Sequence, residues 1–181
     1  MDTNNNNCGG DRRANTRQMS KPLLIGIDPA FRKSGFCSCV IDQENEVQFK
    51  TFKNGFIDFM KWADTLPENV IICIENSNLQ NVTYPGKTQS KAVLAKISRN
   101  VGANQAASQY TVDYCVSKFG EKKVLGISPK AKGAKWTKDY TFMRVVNSEN
   151  HKLINYTGSQ DQRDAYKLAL IGWQFRFRLG K

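Results

Sequence analysis

Histidine is almost absent: His151 is the only one in 181 residues, and no two cysteines stand at the CxxC spacing of a zinc ligand pair. Cys37 and Cys39 are too close together for that role, so a structural zinc site is not expected. The cysteines number five, an odd count, and three of them lie in apolar, strand-like runs. This reads as a set of reduced thiols and not as a disulfide framework. No run approaches the roughly 18 apolar residues that a membrane helix needs, and the N-terminus has no apolar segment of the signal-peptide kind. The expectation is a soluble, cytoplasmic chain with no membrane partner. Acidic residues are also few, 16 against 27 Lys and Arg, which leaves a formal charge of +11 spread over most of the chain. The partner such a surface attracts is a polyanion.

A chain of this length with 40% hydrophobic residues can bury one core and not two. Residues 1–21 hold an Asn run, two glycines and almost nothing apolar, a composition that cannot offset the entropy of ordering, so a disordered arm is expected there. In it Arg12, Arg13, Arg17 and Lys21 would add sequence-independent phosphate contacts. The folded domain is expected over 22–181. The short length and the Asn-rich leader would suit a phage or mobile-element protein.

Leu23–Ile27 is an apolar run ending in Asp28. After the turn-like stretch Pro29 to Ser34, a second strand over Gly35–Asp42 completes a hairpin. Glu46–Phe52 alternates as a third strand, Ile57–Thr65 has helical spacing, and Val70–Ile74 is a buried strand ending in Glu75. Residues 76–89, with Pro85-Gly86 in the middle, read as a loop. Ser90–Phe119 reads as a long helix, Val124–Ile127 as the last strand and Lys138–Val146 as a short helix. Ser159-x-x-Gln162 is a capping box that opens a final helix over Gln160–Phe177. The sum is an α/β domain with a mixed five-stranded sheet, three antiparallel strands and then parallel ones, flanked by helices.

A carboxylate at the end of a buried strand must be solvated, paired or metal-bound, because an unpaired charge at a core edge is costly. Asp28 and Glu75 both sit there, and strands lying side by side would bring them out at one end. Like charges held close repel, and a divalent cation is the usual remedy. Asp161 and Asp164, three apart in the first turn of the last helix, form a second pair on one face. Taken singly, a strand-end Asp also starts turns, and Asp161 also complements a helix dipole. Together, four carboxylates from three elements suit two Mg²⁺ ions, with Mn²⁺ as a substitute, one generating a hydroxide and the other stabilising the leaving 3′ oxygen of a phosphodiester.

Ile25-Gly26-Ile27-Asp28-Pro29 followed by Ser34-Gly35-Phe36 resembles the opening hairpin of RuvC-type Holliday-junction resolvases, within the RNase H-like superfamily. Ile72-Cys73-Ile74-Glu75 resembles their central strand. Gly102 to Val116 sits where the family has its long helix, Ser128-Pro129-Lys130-Ala131-Lys132-Gly133-Ala134-Lys135 is similar to its proline, lysine and glycine stretch, and Asp161-x-x-Asp164-Ala165 to its closing helix. The likeness runs in order from Leu23 to Leu170. It implies an RNase H-like fold and a homodimer, joined through the long helix, that nicks opposing strands of a four-way DNA junction. Asp28, Glu75, Asp161 and Asp164 would be catalytic metal ligands. Lys130, Lys132, Lys135 and Lys138 would lie near the cut, although a lysine-rich loop is also simply well solvated. Family members often carry a wedging aromatic shortly after the strand glutamate, where this chain has Asn76-Ser77-Asn78-Leu79. Leu79 or Tyr84 would have to take that part. Arg32 and Lys33 in the hairpin turn are further DNA-contact candidates.

Two rivals keep the fold: a nuclease acting on flaps, forks or RNA–DNA hybrids, and a junction-binding protein without catalysis. The second predicts missing carboxylates, and all four are here. A sugar-kinase or actin-like ATPase would need a second phosphate-binding hairpin and a larger chain.

Overall fold

The computed structural model describes residues 21–31, 35–80 and 90–179, with side chains described up to residue 174. The expected N-terminal arm before Lys21, and the DNA-contact candidates Arg32, Lys33 and Tyr84, lie outside the described residues.

The molecule is a mixed α/β structure built on one six-stranded sheet of order β5-β4-β1-β2-β3-β6. The strands are β1 (Leu23–Asp28), β2 (Cys37–Ile41), β3 (Glu46–Thr51), β4 (Val70–Glu75), β5 (Val124–Ile127) and β6 (Lys152–Ile154). β1, β2 and β3 run antiparallel, while β4 joins β1, β5 joins β4 and β6 joins β3 in parallel. The helices are α1 (Phe56–Ala63), α2 (Lys91–Phe119), α3 (Pro129–Lys132), α4 (Asp139–Ser148) and α5 (Gln160–Leu179).

The expected count of five strands is corrected to six, since Val124–Ile127 is not the last. β6 is three residues long and half exposed, too short to show a period of two, and it exists because β3 offers it an edge: Glu46, Val47 and Gln48 pair with Lys152, Leu153 and Ile154. The four-residue α3 was likewise not expected. Ser128 accepts a hydrogen bond from the Ala131 amide at 3.1 Å and Pro129 occupies the first turn, where its missing N–H costs nothing.

Alternation along the strands sends side chains to two cores. Ile25, Ile27, Ile72 and Ile74 face one side with Phe36, Phe52 and Phe59, covered by α1 and the second half of α2. Leu24, Cys37, Cys39, Ile41, Val47 and Phe49 face the other, against Phe142 and Val146 of α4 and Ala165, Tyr166 and Ala169 of α5. Cys37, Cys39, Cys73 and Cys115 are buried free thiols, as the reading of reduced cysteines requires of the described ones. No helix among the described residues is long and apolar enough to cross a membrane.

Sheet and helix approach each other closely at Gly26. A Cβ there would collide with the backbone oxygen of Ala165 and the backbone nitrogen of Ala169. Its absence lets α5 lie directly on β1, and a second glycine, Gly172, sits over Cys73 of β4, where a Cβ would come within 3.1 Å of the sulfur. This seating fixes where the first turn of α5 falls.

Candidate active site

Ile27 of β1 pairs with Ile74 of β4, so the next residues, Asp28 and Glu75, leave the sheet side by side. Each continues the strand positions that face α5: Leu24 and Gly26 on β1, Ile71 and Cys73 on β4. α5 crosses Gly26 at Ala165 and Ala169, and one helical turn before Ala165 places Asp161 and Asp164 over the same sheet end. The carboxylates expected to gather therefore do gather on one face.

What they gather around is a lysine. Lys132, the last residue of α3, is only 6% exposed. Its ammonium is ion-paired to Glu75 Oε2 and lies 3.2 Å from Asp164 Oδ2 and 3.9 Å from Asp28 Oδ1. Glu75 Oε2 is fully buried and takes no hydrogen bond of ordinary geometry, so the ammonium is its compensating charge. Asp164 is held at both oxygens, since Oδ1 accepts from Gln160 Nε2 at 2.8 Å while Oδ2 faces Lys132. Asp161 stands one step off this centre, half-buried, with Oδ2 3.7 Å from where a Gly35 Cβ would be. It lines a cleft of about 410 Å³ with Phe31, Asn100, Ala103 and Asn104.

Burial pushes the Asp28 carboxyl up to about 8; Lys132 opposes this, and the neighbouring Glu75, Asp164 and Asp161 add to it. Asp161 is also raised, by burial first and by Asp164 second, with Lys135 and Lys132 opposing. For Lys132 burial alone would favour the neutral amine, but Asp28, Glu75 and Asp164 outweigh it and the net shift is upward. The cluster thus includes two acids, Asp28 and Asp161, that resist ionisation and one amine that resists losing its proton. Among the described residues no three His, Cys, Asp or Glu side chains close into a metal-holding group by themselves. The carboxylates are spaced around the ammonium instead.

The other expected DNA contacts are less gathered. Lys130, Lys135 and Lys138 are exposed, with the Lys135 ammonium 4.0 Å from Asp164 Oδ2 and that of Lys138 5.8 Å from the centre of the Tyr140 ring. Lys132, a DNA-contact candidate of the same stretch, has its ammonium within the buried carboxylate cluster. Leu79 is 55% exposed on a one-turn 3₁₀ segment, Ser77–Leu79, that follows the strand glutamate. Asn76 Oδ1 accepts from the Asn78 amide at 3.0 Å, and Asn78 donates to Gln105 O of α2 at 2.9 Å, so this turn is anchored at both ends.

Two contributors went unread in the sequence. Lys167, one turn beyond Asp164 on α5, donates to Ala134 O at 2.5 Å and lies 4.7 Å from the centre of the Trp136 ring. It fastens the segment after α3, and its i+3 spacing from Asp164 was the available signal. Arg163 is buried and donates through Nη1 to Asp139 Oδ1 at 2.8 Å, Gly158 O at 2.7 Å and Tyr156 Oη at 3.1 Å. It locks the start of α5 to α4 and to the preceding turn, and no sequence spacing announced it. The capping box is half realised. Ser159 Oγ accepts from the Gln162 amide at 3.2 Å, but the Gln162 side chain turns to Thr157, accepting from its amide at 2.8 Å and its hydroxyl at 3.0 Å.

Compared with models of protein families, with curated proteins and with solved structures, the chain matches none.

Proposed function

We propose that the chain is a metal-dependent nuclease of the RNase H-like fold, acting on four-way DNA junctions in the manner of RuvC-type resolvases. The observation that carries the reading is the convergence of Asp28, Glu75 and Asp164 on one buried cationic centre at the shared end of two parallel strands. The sheet supports the fold: antiparallel β3, β2 and β1 continue into parallel β4 and β5, with β6 as an addition at the outer edge.

The donor set fits a hard divalent cation, because every donor is a carboxylate oxygen and three of them already surround a positive charge. Asp28, Glu75 and Asp164 would hold Mg²⁺ or Mn²⁺, with Asp161 at the rim able to complete a second position. When bound, the metal supplies Lewis-acid stabilisation of the charge that develops on a phosphodiester under attack. The chain's own residues do the rest. Asp28 and Glu75 are fixed by strand pairing, and Asp164 by Gln160 and the Arg163 lock. Exposed Lys130, Lys135 and Lys138 lie on the same segment as Lys132 and offer phosphate contacts beside the carboxylates. Leu79, exposed on its anchored turn just after Glu75, is the described side chain best placed to wedge between base pairs.

A homodimer joined through α2 accompanies this reading, since paired nicks require two active sites. From residue 91 to 107 of α2 no side chain is buried, and Leu94, Ile97 and Val101 form a half-exposed apolar row at helical spacing. The test is cleavage of a labelled synthetic junction beside a flap, a plain duplex and an RNA–DNA hybrid, with Mg²⁺ and with EDTA. Paired, symmetric, Mg²⁺-dependent nicks confined to the junction are expected. Cutting of flap or hybrid instead would keep the metal site and replace the substrate, while binding without cutting would make the chain a junction-binding protein.

A further inference from the structure

Lys132 is the one charged group of the cluster that the proposed hydrolysis does not need in its observed place. A lysine that only touched DNA would reach outward, as Lys130 and Lys135 do. The Lys132 side chain runs inward, 6% exposed, and sets its ammonium between oxygens of three carboxylates carried by three different elements. A divalent cation held by those carboxylates would need the same oxygens, at roughly 2.0–2.6 Å for Mg²⁺ or Ca²⁺. Glu75 Oε2 in particular cannot serve both, because the ammonium already lies against it.

We propose, resting on the metal-site reading above, that Lys132 is the resident counter-cation of the cluster and that it and the divalent metal occupy it in turn. With the metal absent, the ammonium keeps the carboxylates from repelling one another. With the metal bound, the ammonium leaves for the surface, where a DNA phosphate is its natural acceptor. The lysine stem is flexible enough for such a swing without moving the backbone. The next residue, Gly133, has φ 76°, so the chain turns away immediately after it. Metal binding and phosphate binding would then support each other, since each removes one party from a three-way competition.

The exchange is read on the full chain without DNA, through Mn²⁺ binding followed by the spin-resonance signal of the free ion. Lys132→Met is compared with Lys130→Met, which removes an exposed charge from the same short helix. Lys132→Met should tighten the Mn²⁺ Kd by about tenfold or more, because the wild-type affinity is lowered by the fraction of molecules whose site is filled by the ammonium. Lys130→Met should change it by less than about twofold, as expected for a screened surface charge. Independently of any variant's folding, acetylation of Lys132 in the wild-type protein should rise several-fold at saturating Mn²⁺. Equal effects of the two variants, or a Lys132 as protected with Mn²⁺ as without, would overturn the exchange and leave the metal-dependent nuclease standing. No Mn²⁺ binding in any of the proteins would overturn both.

Discussion

Asp28 has a demanding environment, a strand-end carboxyl with its ordinary value near 3.8 raised to about 8, chiefly by burial. In the metal-free protein it holds its proton across that window while the unfolded chain does not. The folded state therefore binds the extra proton, and the contribution of Asp28 to stability is full below the lower value and lost as pH rises through the upper one. Thermal unfolding without metal should give a Tm that declines from about pH 5 to pH 8 in the wild type and declines less in Asp28→Asn. An identical slope in the two would show that another group governs it. In the nuclease assay Asp28→Asn and Asp164→Asn should each lower cutting by about a hundredfold or more, the scale for losing a preorganised electrostatic group. Junction affinity should stay intact; its loss together with cutting would indicate misfolding. Asp28, Glu75 and Asp164 were legible because a charge at the end of an apolar run, or three apart at a helix start, is visible in one dimension. The place of Lys132 was not. Its partners Asp164, Glu75 and Asp28 stand 32, 57 and 104 residues from it, and only the folded sheet brings them together.

Elements were legible in proportion to their length and burial. β1 and β4 announce themselves as continuous apolar runs because both of their faces are covered, and α2, 29 residues long, was read to within one residue at its start. β6 and α3 were missed because three or four residues show no period, and each depends on a neighbour: the edge of β3 or the Ser128 cap. The seating of α5 on β1 is the joint on which the site's geometry depends. Gly26→Ala would drive a methyl group into backbone atoms of α5 that no rotamer change can move. A loss of about 3 kcal/mol in urea unfolding is expected, at the upper end of overpacking effects, together with reduced cutting as Asp164 is displaced from Asp28. A neutral result would mean that α5 sits further from the sheet than described.

At the scale of the whole molecule, the proposed function rests on a +11 charge suited to a polyanion and on a half-exposed apolar row of α2 suited to a second copy. Sedimentation at micromolar protein should find a dimer, with or without junction DNA; monomer under both conditions would count against pairing through α2. The route of that pairing is narrowed by β6. Without it, the whole length of β3 would present unpaired amides and carbonyls along the margin of the sheet. With it, both margins are short strands, three residues on one side and four on the other, and the outer one carries a Lys152–Glu46 ion pair at 2.7 Å. Glu46–Gln48 of β3 is thus covered and the opposite margin is only four residues long, so little continuous backbone is left to template a foreign strand and the fold is shielded from ribbon-like polymerisation.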